Sequence, residues 1–325
     1  MLPSAVEREV LAHWPGLLAR AGLPEEGWRL TSLAVRDDPA ISRASLLGEH
    51  PTAGHYTCKV QLRPEMRDAF AAQFARQAEI WDVFPHSERL TLPRPVALHP
   101  TAQASLITYI DGRPLSEAMR AADRKTQLQL LAHAGEWLDA YHRCGIKERR
   151  LFQPGYTLRH YEGLRAEIRA GSFDPAARGL FLRGIDRLAE IAPEHDRRET
   201  VSAVQHGDFH MRNLVFDGTR LAGIDISKTA PAPVGHDIAK ILFDFATVLR
   251  SAEALPPGEI LPEDVRAAFF HGYRLVGPDD PSVGFLIYAR ILATLQHVPR
   301  DRADRSDAKQ RTLQRLRPFA KRAFG

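Results

Sequence analysis

Residues 206–213 read His206-Gly207-Asp208-Phe209-His210-Met211-Arg212-Asn213, and Ile224-Asp225-Ile226 follows after a short interval. Asp208 and Asn213 lie five residues apart, and Asp225 comes twelve residues after Asn213. Between them, Leu214-Val215-Phe216 and Leu221-Ala222-Gly223-Ile224 flank Asp217-Gly218. An Asp-Gly pair between two apolar runs is a hairpin signal. Such a hairpin carries Asn213 at one end and Asp225 at the other, which brings two oxygen ligands together. Hard divalent cations such as magnesium take oxygen ligands and keep several waters, so one amide, one carboxylate and the phosphates of a nucleotide suffice. Asp208, just upstream, is then free to receive the proton of an attacking hydroxyl. The expected chemistry is phosphoryl transfer.

The same residues resemble the catalytic signature of the aminoglycoside phosphotransferase and choline kinase family, small-molecule kinases with a protein-kinase-like fold. The shared pattern is an HGD-x-H-x-x-N loop, a hairpin, and an aspartate in the place of the protein-kinase DFG aspartate. The resemblance implies Asp208 as catalytic base, Asn213 and Asp225 as ligands of Mg²⁺, and ATP as co-substrate. Gly235-His236-Asp237-Ile238-Ala239 resembles the family's downstream segment, whose aspartate braces the catalytic loop, and the resemblance makes His206 a brace as well. In outline the match covers roughly residues 28 to 250, and it is motif-specific for about 206–239.

Working outward, 325 residues with 44% hydrophobic and 26% charged side chains describe a soluble globular chain with a proper core. No apolar run reaches the length of a membrane span or of a signal-peptide core, and two distant cysteines, Cys58 and Cys144, fit reduced thiols. The expected location is cytoplasmic. Net charge is +4. Much of that excess sits in the last 26 residues, read as the solvated face of a final helix. No groove-reading motif accompanies it, so neither nucleic acid nor membrane is expected as a partner.

Residues 5–21 have helical spacing, followed by strand-like runs at Trp28–Val35, Ser42–Leu47 and His55–Leu62 and a helix over 65–84. Val96–His99 and Ala104–Ile110 complete five strands. From Leu115 onward the pattern is helical, interrupted only by the hairpin, with helices expected near 126–144, 157–170, 176–192, 236–250, 262–275, 281–297 and 306–323. The expected fold is α+β and bilobal: residues 1–110 as a nucleotide-binding lobe with a five-stranded antiparallel sheet and one main helix, and residues 111–325 as a larger helical lobe. Clefts between such lobes are where nucleotides commonly bind.

Lysine is scarce, seven against thirty-seven arginines, and only Lys59 falls in the first 124 residues. A flexible point charge on a strand suits anchoring phosphates. The helix that follows offers Glu79 as its ion-pair partner, among Ala78, Ile80 and Trp81, while Glu65 at the helix start is explained by the dipole. No glycine occurs over residues 36–45, so a phosphate loop there must use Ser42 and neighbouring amides or stand further off. That leaves ATP or GTP open. Leu106–Leu115 resembles the family's inter-lobe hinge, with backbone groups of Thr108 and Ile110 reading the base. Lys228, beyond Asp225, is either a further phosphate-holding charge or a loop lysine.

The resemblance implies an aminoglycoside, amino alcohol or sugar-like acceptor, and the sequence does not announce which. Asp139, Glu162, Glu167 and Asp244 are the candidates for contacting a cationic or hydroxyl-rich acceptor, and each reads equally as a surface helix charge. Two other classes stay open. Gly235-His236-Asp237 with His206, His210 and Asp244 superficially resembles an HD-type phosphohydrolase, which would hold Mn, Fe or Zn. A kinase-like regulatory protein without turnover is the other, and the intact Lys59, Asp208, Asn213 and Asp225 argue against it.

Overall fold

A computed structural model describes residues 5–227, 230–249, 255, 256 and 258–325. The chain divides into two compact units, Met1–Gly112 with Asp217–Thr229, and Arg113–Phe216 with Ala230–Gly325.

The first unit opens with α1 (Ala5–Ala21), then β1 (Arg29–Asp37), β2 (Ser42–His50), β3 (Gly54–Arg63), α2 (Arg67–Val83), β4 (Leu90–Thr91), β5 (Pro95–Leu98) and β6 (Ala104–Thr108). Five of the strands form an antiparallel sheet in the order β1-β2-β3-β6-β5, as the alternating runs led one to expect. Val6, Val10, Trp14, Leu17 and Leu18 recur on one face of α1 and are buried with Ala44, Leu46, Cys58, Val60 and Leu106 of the sheet. Each large side chain removed from water there contributes about 1.5–3 kcal/mol. Trp14 lies so close on β2 that a Cβ at Gly48 would sit 2.2 Å from its ring, so no larger residue fits. Successive strand residues face opposite ways, so with Cys58 and Val60 in this core the intervening Lys59 points from the other face of β3.

The second unit contains β7 (Arg113–Pro114), α3 (Leu115–Arg120), α4 (Arg124–Cys144), β8 (Ile146–Leu151), α5 (Gly155–Ala170), α6 (Arg178–His195), β9 (Glu199–Val204) and β10 (Leu214–Phe216). β11 (Leu221–Gly223) belongs to the first unit, where it pairs in parallel with β4. The second unit then continues with β12 (Pro231–Pro233), α7 (Gly235–Val248), α8 (Glu263–Gly272), α9 (Pro281–Leu295) and α10 (Asp307–Phe324). Helix α4 is capped by Asp123, whose side chain accepts the Thr126 N–H at 2.8 Å. It crosses α8 at glycines: a Cβ on Gly272 would lie 1.9 Å from the Ala132 carbonyl oxygen. Among the described residues no helix is long and apolar enough to cross a membrane.

One expectation needs correction. The stretch after Leu115 is not helical throughout, because β12, β9 and β8 form a three-stranded antiparallel sheet. β8 is Ile-Lys-Glu-Arg-Arg-Leu, exposed along its whole length, so no buried face imposes alternation on its sequence. β9 is buried at five successive positions, and a short apolar run of that kind looks the same in a strand and in a helix.

Candidate active site

In the second unit the segment 206–213 leaves β9 and is held by α7. Asp237 lies in the first turn of that helix and is almost fully buried. One of its carboxylate oxygens accepts the His206 N–H at 2.7 Å and the other accepts the Gly207 N–H at 3.0 Å. His142 Nε2 lies 3.2 Å from the same carboxylate, and His142 Nδ1 lies 2.9 Å from the Tyr273 hydroxyl. Gly207 has φ +80°, a left-handed conformation that glycine adopts without penalty. Phe209 anchors the next turn: it is fully buried and stacks on Trp137 at 5.6 Å between ring centres. The bracing role expected of Asp237 is what its carboxylate does.

Two further α7 residues reach the same loop. Lys240 Nζ contacts the Asp208 carboxylate and the Gly207 carbonyl, and Asp244 accepts the Met211 N–H at 3.0 Å. Positions 237, 240 and 244 are i, i+3 and i+7, one face of a helix, so α7 touches the loop at three successive points. Sequence reading passed over Lys240. The signal was present, since it is one of only seven lysines and sits one turn from Asp237.

Asp208 is half-exposed and surrounded by donors. Asn213 Nδ2 donates to its carboxylate at 3.1 Å and to its backbone carbonyl at 3.0 Å, and His210 Nε2 lies 3.4 Å away. Its carboxyl is held well below the ordinary carboxylate range, first by the His210 side chain and then by Lys240, against the opposing effect of burial. Burial in turn pulls the Lys240 ammonium down against the pull of Asp208. Because the Asn213 amide nitrogen is spent on Asp208, its oxygen is the atom left for a cation. An amide oxygen of that kind and a carboxylate suit a hard divalent ion that completes its shell with water and phosphate.

In the first unit Lys59 Nζ contacts the Asp225 carboxylate. Asp225 has φ +58°, a left-handed conformation uncommon for a residue with a side chain and frequent at functional turns. The next residue is fixed from α2, where Gln73 donates to the Ile226 carbonyl, and Ile226 itself is buried. Upstream, Asp217 Oδ1 accepts the N–H groups of Thr219 and Arg220, closing the Asp-Gly turn that the sequence announced.

Three expectations change here. Glu79 does not support Lys59: it pairs with Arg76, and its side chain is 62% exposed. Ile80 alone takes the fully buried position of α2, so the helical phase turns Glu79 outward. Ser42 is only 1% exposed, within β2. The amides of Ala40 and Ile41 beside it donate to Asp38, so Ser42 and these two amides are withdrawn as phosphate ligands. The Thr108 N–H is taken by the Arg94 carbonyl, whereas the Ile110 backbone makes no hydrogen bond among the described residues. Lys228 lies outside the described residues.

Of the acidic acceptor candidates, Asp139 engages Arg143 and the Arg274 N–H, Glu162 pairs with Arg165, and Glu167 is exposed on α5. Of these four, Asp244 alone lines the cavity next to the 206–213 loop. Among the described residues no group of three or more His, Cys, Asp or Glu side chains is placed to hold a metal ion. Asp237, the centre of the hydrolase pattern, is spent on loop N–H groups instead.

Asp237→Ala is expected to destabilise the second unit by about 3–5 kcal/mol, because it strips a buried charged network of its acceptor. Burial opposes ionisation of Asp237, but His142, His206 and the His206 N–H outweigh it and leave the carboxyl depressed. With a folded pKa below the unfolded value of about 3.9, this stabilisation is complete above that value and fades as pH falls through the folded one. Urea unfolding of wild type and Asp237→Asn should show the widest gap near neutrality and a narrowing gap below about pH 4. A gap independent of pH would contradict an ionised carboxylate.

The model of the phosphotransferase enzyme family matches residues 51–286, and the chain belongs to that family. No curated protein matches it by sequence. Among solved structures, a choline/ethanolamine kinase family protein from Mesorhizobium loti superposes with TM-score 0.60 at 16% identity, covering 98% of this chain and 100% of that one. The amicoumacin kinase hAmiN, in complex with AMP-PNP, Ca²⁺ and Ami, gives TM-score 0.55 at 16% identity, with 97% and 95% covered. A spectinomycin phosphotransferase in complex with ADP and spectinomycin gives 0.57 at 13%, with 98% and 94% covered. The fold is thus that of the protein-kinase-like small-molecule kinases: a five-stranded antiparallel sheet followed by a mainly helical remainder.

Proposed function

We propose that the protein transfers the γ-phosphate of a nucleoside triphosphate, ATP in the first instance, to a hydroxyl of a small molecule, with Mg²⁺ as the divalent ion. Lys59 holds the phosphates, and Asn213 and Asp225 are the metal ligands. Ile110, and not the engaged Thr108 N–H, offers the backbone groups for the base. Asp208 aims the acceptor hydroxyl and takes its proton. The observation that carries this reading is the setting of Asp208: an ionised, half-exposed carboxylate gripped by Lys240, His210 and Asn213 on a loop that α7 holds rigid. In a loose phosphoryl-transfer transition state most of the catalysis is positioning and charge stabilisation, which such a group supplies.

Nucleotide binding by thermal shift, with ATP and GTP, each with and without Mg²⁺, tests the reading. A metal-dependent rise in melting temperature with one of them is expected, of the size mass action gives at saturating ligand, about 2.7 kcal/mol at one hundred times Kd. No shift with either nucleotide up to millimolar concentration would overturn it.

A further inference from the structure

The cavity beside the catalytic loop carries a charge that phosphoryl transfer alone does not call for. It encloses about 350 Å³ and lies wholly within the second unit. Arg120 from the end of α3, Arg212 from the loop, Lys240 from α7, Arg290 from α9, and Arg311 and Arg315 from α10 all line it. Asp244 is the one carboxylate in the lining, while Asp208 and Asp237 act from behind it on Lys240 and Arg290.

Little of that charge is neutralised by the protein. Lys240 is committed to Asp208, and Asp244 already accepts the Met211 N–H. The guanidinium groups of the five arginines have no hydrogen-bond or ion-pair partner among the described residues. Arg290 Nε is buried without an acceptor. Arg63 with Asp37, Arg124 with Asp264, Arg143 with Asp139 and Arg165 with Asp186 show arginines elsewhere in the chain that do find carboxylates, whereas here five without one converge on a single cavity. Arg311 and Arg315 stand one helical turn apart, a spacing at which like charges repel. Arg290 is half-buried, and the exposed Arg120, Arg212, Arg311 and Arg315 surround it, so the cavity carries a positive field that draws in an anion. Arginine is also the side chain whose planar fork matches carboxylate and phosphate groups with two parallel bonds. An ammonium group in the same place would meet a net positive lining.

The cavity adjoins the reacting group. His210 and Lys240, which both line it, are two of the three side chains that grip the Asp208 carboxylate. Thr247, Thr294 and Thr312 line the same wall; each hydroxyl donates to a carbonyl of its own helix and leaves its oxygen to accept from a ligand hydroxyl.

We propose that this cavity is the acceptor site and that the acceptor is an anion, a small hydroxylated compound bearing carboxylate or phosphate groups. The assignment rests on the phosphotransferase reading above. In the reaction, the acceptor's hydroxyl oxygen bonds to the γ-phosphorus as the bond from that phosphorus to the β,γ-bridging oxygen breaks. The hydroxyl proton passes to Asp208 and the electron pair leaves with the nucleoside diphosphate. The arginines hold the acceptor's anionic group and leave its hydroxyl for Asp208.

Calorimetric titration of the full chain, in the presence of Mg²⁺ and a non-hydrolysable ATP analogue, with ligands matched in shape and differing in charge tests this. Glycerate and glycerol 3-phosphate are compared with glycerol, and gluconate and glucose 6-phosphate with glucose and glucosamine; the carboxylate and phosphate arms separate the two anion types. In at least one set the anion should bind ten-fold or more tightly than its neutral or cationic counterpart, and should then support ADP release from ATP. Arg290→Gln should weaken that anion ten-fold or more. Arg311→Gln with Arg315→Gln, both on the exposed side of α10, should do the same in a variant whose fold does not depend on a buried group. The anion is overturned if no set prefers it, if glucosamine binds best, if neither variant moves the affinity, or if the bound anion is not phosphorylated. Binding of the nucleotide analogue, titrated first, scores the phosphotransferase reading separately: its failure removes that reading, whereas intact nucleotide binding with an amine preferred removes only the anion.

Discussion

Asp208→Asn is expected to lower kcat by about two to four orders of magnitude, with less than about a three-fold change in nucleotide affinity. The substitution keeps the size of the side chain and removes its charge and its capacity to take a proton. Lys240 and His210, which grip the carboxylate, lose the negative partner that fixes them, so the loss includes alignment as well as proton transfer. Because the carboxyl is held far below its ordinary range, Asp208 stays ionised across any neutral assay and is a weak base; aiming the oxygen is its larger contribution. Steady-state release of ADP with the acceptor identified by titration, on a variant of unchanged melting temperature, measures the effect. A fall of less than ten-fold would place the proton acceptor elsewhere.

With Asp225 as the proposed metal ligand, Asp225→Ala is expected to abolish the Mg²⁺-dependent part of nucleotide binding and to reduce kcat/KM by at least about three orders of magnitude, since ion and transition-state charge stabilisation would be lost together. The contact between Asp225 and Lys59 makes the prediction sharper. Removing the carboxylate releases the Lys59 ammonium, so affinity for metal-free nucleotide should be kept or increased. Lys59→Ala should do the opposite, weakening nucleotide with or without the ion. Titration of both variants with ATP, with and without Mg²⁺, reads this crossing directly. If Asp225→Ala lost metal-free binding as well, its role would be to shape the turn at its left-handed backbone and not to hold an ion.

Much of this site is readable along the chain because its parts are local. The loop 206–213 and the aspartate at 225 lie within twenty residues of one another, and their chemistry depends on residue types at short spacing. Strand alternation around Cys58 and Val60 likewise predicts which way Lys59 points. Glu79 illustrates where such reading stops. Its neighbours in sequence are apolar, yet Arg76, one turn away on the same helix, is its partner, and α2 buries little besides Ile80. Hydrophobic neighbours at i±1 say nothing about a helical face, whereas the i, i+3 pair does.

The basic end of the chain is the clearest case of a meaning given by packing. As a string, residues 300–322 are a charged helix with a solvated face. In the folded unit Leu313, Leu316, Phe319, Ala320, Ala323 and Phe324 are buried, and that anchoring brings Arg311 and Arg315 to the cavity that also holds Arg120, Arg212 and Arg290. Likewise, Asp217–Thr229 joins the first unit although it lies between two segments of the second. What the amino-acid order determined alone is the strand and helix periods and the loop that carries Asp208 and Asn213, because covalent geometry sets spacing within a segment. Only the tertiary structure decided the partner of Lys59, the grip of α7 on the loop and the gathering of five arginines that have no partner among the described residues. Those depend on which distant surfaces bury one another, and no local period encodes that.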